Sequence, residues 1–192
     1  PSQGPCAPST APLIAFIGGG NMASAILGGL VAAGHPPSRV VVVEPHAPQA
    51  DAVREKFGVR VESAGGAALA GADIVVWAVK PQVFAEAAAP CAPHVGGALH
   101  LSVMAGIRSD AIARATGSER VVRAMPNTPA LIGEGIAGLF ARAAATPADR
   151  AAIERVLAPT GETLWVAQES DLDAVTALSG SGPAYVFFFL EA

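Results

Sequence analysis

One short stretch decides most of what this chain can be. Ile14-Ala15-Phe16-Ile17-Gly18-Gly19-Gly20-Asn21-Met22-Ala23 runs from apolar residues through a glycine turn into a helical pattern. It fits G-x-G-x-x-G/A, with Gly18, Gly20 and Ala23 at the diagnostic positions. Each position has a steric reason: Gly18 permits a tight turn out of a strand, and Gly20 lets backbone approach a pyrophosphate. Ala23 keeps the next helix close to the sheet. The N-terminus of that helix offers free N–H groups and the positive end of a dipole to phosphate oxygens. A second apolar run ends in the acid Glu44, about 20 residues past Ala23. An ordinary glycine-rich turn explains the glycines but not this order of strand, turn, helix, strand and acid.

The alternation continues along the chain. Residues 13–17, 40–44, 59–61, 74–79, 99–103 and 121–124 are nearly continuous apolar runs, as in strands buried on both faces of a parallel sheet. Between them, 22–33, 48–57, 67–70, 83–89 and 109–115 read as helices or short helical turns, with Gly34 and Gly58 placed as C-caps. The pattern predicts an α/β fold, a doubly wound sheet of the Rossmann type. A further strand pair is predicted at 135–140 and 162–166, joined by a helix over 147–157 with Pro147 at its start. Ser170, with Asp173 three residues on, reads as the N-cap of a helix running to Leu178, stopped by the break from Gly180 to Pro183. A last apolar helix starts at Ala184 and runs to Ala192. Its run Tyr185, Val186, Phe187, Phe188, Phe189, Leu190 is too apolar for a free end, so covering helices are expected beyond residue 192.

Composition narrows the class. With 52% hydrophobic and 15% charged residues the chain can bury a sizeable core, which excludes general disorder. A net charge of −4 and dispersed Lys and Arg argue against a nucleic-acid surface or a polybasic membrane patch. The uncharged start from Pro1 to Pro12 lacks the basic and apolar regions of a secretory signal and reads as a disordered leader. No stretch reads as a spanning helix, so a cytoplasmic protein is expected. Cys6 and Cys91, and His35, His46, His94 and His100, lack metal-ligand spacing, so reduced structural thiols and no metal are expected.

In an open parallel sheet the ligand crevice lies at the carboxyl ends of the strands. Glu44 there suits the adenosine ribose 2′-hydroxyl of NADH and repels the extra phosphate of NADPH. Its alternative is a solvated strand-end acid, turned away at Pro45, with His46 or Arg54 compensating. The cofactor is therefore NADH or NADPH, with a lean to NADH. Ala78-Val79-Lys80-Pro81-Gln82 closes the fourth run, and Lys80 either sets a cation near phosphate or ribose or is merely solvated. Ser102-Val103-Met104-Ala105-Gly106 closes the fifth run. Arg123-Ala124-Met125-Pro126-Asn127-Thr128-Pro129-Ala130 closes the sixth and sets Asn127 and Thr128 at the nicotinamide end, although Pro-rich turn chemistry alone also yields such a segment. Thr176-Ala177-Leu178-Ser179-Gly180-Ser181-Gly182-Pro183-Ala184-Tyr185 is rich in hydroxyls and backbone donors, which suits a small carboxylate. Read as structure alone, it is an interhelix joint.

Taken in order, the glycine turn, A-V-K-P-Q, S-V-M-A-G, R-A-M-P-N-T-P-A and T-A-L-S-G-S-G-P-A-Y resemble the pyrroline-5-carboxylate reductases. The likeness runs from about Leu13 to Ala192, and the last two motifs are its most specific part. Met104 departs from it, standing where the family often has a small residue. The resemblance implies reduction of 1-pyrroline-5-carboxylate to L-proline, the last step of proline synthesis, by hydride transfer from nicotinamide C4 to the imine carbon. A protonated imine is already electrophilic, which fits the lack of an acid–base dyad among these motifs. By position, Gly18, Gly20, Asn21, Met22 and Ala23 take the pyrophosphate side. Ala78, Val79, Lys80 and Pro81 flank ribose and nicotinamide, and Pro126 and Asn127 lie near the nicotinamide amide. Ser179, Gly180, Ser181 and Gly182 hold the substrate carboxylate; no proton donor is named. The resemblance also implies a dinucleotide domain over 13–168. At 169–192 it implies the start of an all-helical, dimer-forming domain that is mostly absent, so the full-length protein is expected to be a homo-oligomer.

Two other readings compete. One keeps the enzyme class but changes the substrate to another small imine or a hydroxy acid. Hydroxy-acid chemistry needs a base, and only Lys80 is placed for it. The other is a non-catalytic dinucleotide-binding module, since fold does not fix function. The second polar turn argues against it, because a sensor needs no substrate site.

Overall fold

The structure, a computed structural model, describes residues 11–177. Strand β1 (Ile14–Ile17) leads into α1 (Asn21–Ala32), β2 (Val40–Val43) into α2 (Ala47–Phe57), and β3 (Arg60–Glu62) follows. Then come β4 (Ile74–Trp77), α3 (Phe84–Val95), β5 (Leu99–Ser102), α4 (Ser109–Thr116) and β6 (Val121–Met125). The described chain finishes with β7 (Gly135–Ala141), α5 (Pro147–Leu157), β8 (Gly161–Trp165) and α6 (Asp171–Val175). All eight predicted strand runs are strands, with ends shifted by a residue or two.

The strands form one sheet in the order β3-β2-β1-β4-β5-β6-β7-β8. The order reverses at β1, where β2 and β4 pair with it on either side, in parallel. That reversal opens the crevice in which doubly wound sheets bind ligands. The sheet is not parallel throughout: β7 pairs antiparallel with β6, and β8 parallel with β7. The cause is the connection. Between β6 and β7 lies only a 3-10 turn over Thr128–Ile132, too short for a crossover, so the chain can only reverse.

Every residue of β1, β2, β4 and β5 is buried, because helices cover both faces. Alternate residues serve opposite layers. Ile14 and Phe16 join Ile26, Leu27 and Ile153 on one face, while Ala15 and Ile17 join Trp77, Phe84 and Ile112 on the other.

Two local expectations change. Helix α3 does not stop at residue 89 but runs through Pro90 and Pro93 to Val95. Proline removes a helical bond and crowds the carbonyl four residues back. Those carbonyls belong to Glu86 and Ala89, which are exposed like the prolines themselves. Water therefore serves them, while Phe84, Ala88, Cys91 and Val95 pack on the sheet. At α6, Ser170 occupies the N-cap position without a side-chain bond; Asp171 instead accepts from the Gln168 amide at 3.0 Å. α6 is described to Val175, and Leu178 lies outside the described residues. A true capping box opens α5: Thr146 accepts from the Asp149 amide at 3.1 Å and Asp149 from the Thr146 amide at 2.9 Å. Gly58 and Gly34 both have positive φ just past α2 and α1.

Among the described residues no helix is long and apolar enough to cross a membrane, and no group of three ligating side chains is placed to hold a metal ion. Cys91 is a buried free thiol, pushed up to about 11 by burial.

Candidate dinucleotide-binding site

The turn after β1 is held from both sides. The Gly18 amide donates to Val43 O at 2.9 Å, and the Ala78 amide to Ile17 O at 2.8 Å. Gly18 has φ +100, and a Cβ there would sit 2.6 Å from Ala78 O. Both the conformation and the contact therefore demand glycine. Gly20 differs: a Cβ there would meet nothing within 4 Å. Protein packing does not explain that glycine; a ligand lying against the backbone does. Helix α1 makes its first bond from the Ser24 amide to Gly20 O at 2.8 Å, so the amides of Asn21, Met22 and Ala23 precede it. Its first turn holds no acid, which leaves the positive end of the helix uncompensated.

Glu44 is aimed at this turn. Its Oε2 accepts from the Gly19 amide at 2.9 Å and its Oε1 from the His46 amide at 3.0 Å. The Gly19 carbonyl in turn accepts from Gln49 Nε2 at 2.5 Å and Ser24 Oγ at 3.3 Å. The Gly19 peptide is thus gripped at both ends before any ligand arrives. An ionised carboxylate has about four acceptor sites, so Glu44 keeps capacity for a ribose hydroxyl. The grip by Gln49 left no mark in the sequence pattern, since a glutamine in a helix is unremarkable on its own.

Two clefts flank the turn. One, of about 310 Å³, opens beyond β1, β2 and β4 and is mostly apolar, lined by Ile17, Val43, Pro45, Val79 and Pro90 with Glu86 at its wall. The other, also about 310 Å³, lies between the start of α1 and the end of β6, lined by Asn21, Met22, Met125, Pro126, Asn127, Thr128 and Leu131. The structure thus brings together the glycine turn and the R-A-M-P-N-T-P-A segment, which are about a hundred residues apart in sequence. Asn127 Oδ1 accepts from the Ile136 amide at 2.9 Å, which fixes the side chain. Lys80 and Pro81 line neither cleft; Lys80 is exposed and precedes a 3-10 turn. Ser179, Gly180, Ser181 and Gly182 lie outside the described residues.

A charged cluster on β6 and the start of α4 escaped the sequence reading altogether. Glu169 accepts from the Ser109 amide at 2.6 Å, Ser109 Oγ at 2.8 Å and Arg123 Nη1 at 2.8 Å. Burial alone would raise its pKa, but the Ser109 amide, Arg123 and the Ser109 hydroxyl together hold the carboxyl below the ordinary range. Its partners stand 60 and 46 residues away, so no local spacing announces them.

The pyrroline-5-carboxylate reductase of Pseudomonas aeruginosa is 41% identical to this chain over 183 residues, which is 94% of this chain and 67% of that protein. The chain belongs to the pyrroline-5-carboxylate reductase family. It spans about two thirds of that relative's length. A solved pyrroline-5-carboxylate reductase from Coxiella burnetii superposes with a TM-score of 0.88 at 34% identity, covering 95% of this chain and 68% of that one. The Plasmodium falciparum pyrroline carboxylate reductase, solved with NADP bound, gives 0.79 at 27% identity over 94% and 66%. Residues 13–106 match the family described as NADP oxidoreductase coenzyme F420-dependent, and 169–192 match the pyrroline-5-carboxylate reductase dimerisation family. The Rossmann-type sheet, with the match over 13–106 and the NADP-bound relative, supports nicotinamide dinucleotide binding, and residues 169–192 match a dimerisation domain.

Proposed function

We propose that this protein reduces 1-pyrroline-5-carboxylate to L-proline at the expense of NADH. The observation that carries the reaction is the 41% identity over 183 residues to a pyrroline-5-carboxylate reductase. The clefts on either side of the glycine turn support it. A bound dihydronicotinamide supplies the hydride, and the chain's own residues bind and orient. The first-turn amides of α1, with Gly20 leaving room, receive the pyrophosphate. The apolar cleft over Val43, Pro45 and Val79 takes the adenosine half, and the cleft over Met125, Pro126 and Asn127 takes the nicotinamide half. Asn127, anchored through Oδ1, retains its amide protons for the nicotinamide carboxamide. Lys80 and Pro81 lie at the outer margin. Ser179, Gly180, Ser181 and Gly182 provide hydroxyls and amides for the substrate carboxylate, on a helical, dimer-forming part that begins near residue 169. The protein accordingly works as a homo-oligomer in the cytoplasm.

The preference for NADH rests on charge. Glu44 stands at the end of β2, and the residues lining the adjacent cleft include the acid Glu86 but no cation. Among the residues lining that cleft, a 2′-phosphate would meet a like charge and no cation. The test is oxidation of NADH and of NADPH, assayed separately with the imine by the full-length protein. Turnover with a higher kcat/KM for NADH supports both parts. Faster use of NADPH overturns the cofactor preference, and dinucleotide binding with the imine untouched overturns the reaction.

A further inference from the structure

We propose that Gln49 is a positioning residue for the dinucleotide: it holds the Gly19–Gly20 peptide in the orientation that turns an N–H, and not a carbonyl, toward the pyrophosphate. The inference rests on the dinucleotide reading above and adds a residue that no motif marks. Gly18, Gly19 and Gly20 stand in a row. With no side chain on either flank, the peptide unit between Gly19 and Gly20 is free to rotate as a block, since glycine adopts backbone conformations closed to other residues. The unit is planar and trans, so its carbonyl and its N–H point in opposite directions. One rotation presents a donor to a phosphate. The reverse presents a carbonyl oxygen, which repels it.

What holds the observed orientation comes from outside the glycines. Gly19 O accepts from Gln49 Nε2 at 2.5 Å and from Ser24 Oγ at 3.3 Å, so the glutamine is the nearer of the two donors. Gln49 is the third residue of α2, and only Glu44, Pro45 and His46 separate that helix from β2. The short corner therefore delivers the side chain to the turn. Gly19 is buried and Gln49 half-buried, where a hydrogen bond counts for more than it does in water. The preceding peptide unit is held as well, through the Gly19 amide and Glu44 Oε2 at 2.9 Å. Gly20, by contrast, is exposed, and its N–H has no acceptor among the described residues. It points away from the Gln49 contact and heads the run of free amides that Asn21 and Met22 continue. A phosphate over this run meets the Gly20 donor only while Gly19 O stays turned away. A hydrogen bond of ordinary net strength biases the choice between two such rotations by up to about 10-fold. Affinity then follows the fraction of molecules in the competent form.

The experiment compares full-length wild type with Gln49→Met and Ser24→Ala, reading the Kd for ADP-ribose against the Kd for adenosine by calorimetric titration, with NADH alongside. Methionine fills nearly the same space as glutamine and donates nothing to Gly19 O. ADP-ribose carries the pyrophosphate; adenosine has the same base and ribose without it. The pair of ligands separates positioning from damage, because the adenosine cleft is lined by Val43 and Pro45 at the same corner as Gln49. A disturbed corner weakens both ligands, whereas a freed Gly20 amide weakens only the one with phosphates. Expected is a rise of about 3- to 10-fold in the Kd for ADP-ribose and NADH in Gln49→Met, a smaller rise in Ser24→Ala, and no change for adenosine. If Gln49→Met does not fold, Ser24→Ala decides by the same readings. An unchanged Kd for ADP-ribose in the folded variant, or equal losses for both ligands, overturns the proposal. A wild type that binds ADP-ribose no better than adenosine overturns the dinucleotide reading itself, a result seen before any variant is compared.

Discussion

Gly18 and Gly20 are the same residue in the same turn, yet they are glycine for different reasons, and the difference is measurable. At Gly18 a side chain meets both a positive φ and the Ala78 carbonyl at 2.6 Å. Gly18→Ala should cost about 1–3 kcal/mol of folding stability in strain alone, visible as a lower Tm. At Gly20 a methyl meets open space. Gly20→Ala should leave the Tm unchanged while raising the Kd for NADH by about tenfold or more, since the methyl occupies the space a pyrophosphate needs. Equal loss of stability in both variants would contradict this division. His100 is a second residue whose role only its surroundings disclose. It is fully buried, stacked on Trp77 and accepting from its indole N–H at 3.0 Å. Burial, and the positive Arg120 after it, push its pKa down to about 4, against a raising influence from the Val95 backbone. A depressed histidine pKa means that the unfolded chain takes up the proton first. Stability from the neutral ring is therefore complete above about pH 6.5 and falls as the pH drops toward 4, by roughly 3 kcal/mol in all. Denaturant titrations at pH 7 and pH 5 should show this slope in wild type. In His100→Phe the slope should be shallower by that histidine's share.

Elements here are set by packing as much as by propensity. α3 carries two prolines in its interior and persists because its buried face holds, while the carbonyls that lose their donors face water. α5 begins on a reciprocal cap between Thr146 and Asp149, and Asp149 also binds Arg120 Nη2 at 2.6 Å. Arg120 is the chief cause of the lowered Asp149 pKa. Thr146→Ala should cost about 1 kcal/mol, the usual loss of a cap. Asp149→Ala should cost more, because it removes the cap's other half together with the Arg120 ion pair. A denaturation series that ranks the two the other way would show that the Arg120 pair contributes little. The strand elements behaved more simply. The runs of β1, β2, β4 and β5 were readable because both faces of the sheet are covered there, so no solvent face interrupts the pattern.

At the scale of the whole molecule the sheet gathers its candidate ligand site from residues remote in sequence. A dinucleotide that binds only the folded state should raise stability by about 2.7 kcal/mol at a hundred times its Kd, an upward Tm shift of several degrees for a chain this size. Thermal melts with and without saturating NADH test it, and an unmoved Tm would remove the dinucleotide site from consideration. Much of the candidate site's framework was legible beforehand, because the glycine spacing and the strand ends are local patterns with local causes: a backbone that must turn sharply, and strands that must be apolar. What stayed illegible was relational. Glu44 read as an acid at a strand end, but its grip on Gly19 depends on how β2 and the turn are juxtaposed. Lys80 read as a cofactor residue; it does not itself line either cleft, although Val79 just before it and Val83 just after it border the first one. Glu169 carried no signal, since its partners Ser109 and Arg123 become neighbours only after β5, β6 and β8 have assembled. The amino-acid sequence by itself determined the order of elements, the doubly wound class and the glycine turn, because periodicity and steric demand act over a few residues. Only the tertiary structure decided the reversed strand β7, the grip on Gly19 and the buried ion pair, because hydrogen bonds and charges select partners by distance in space.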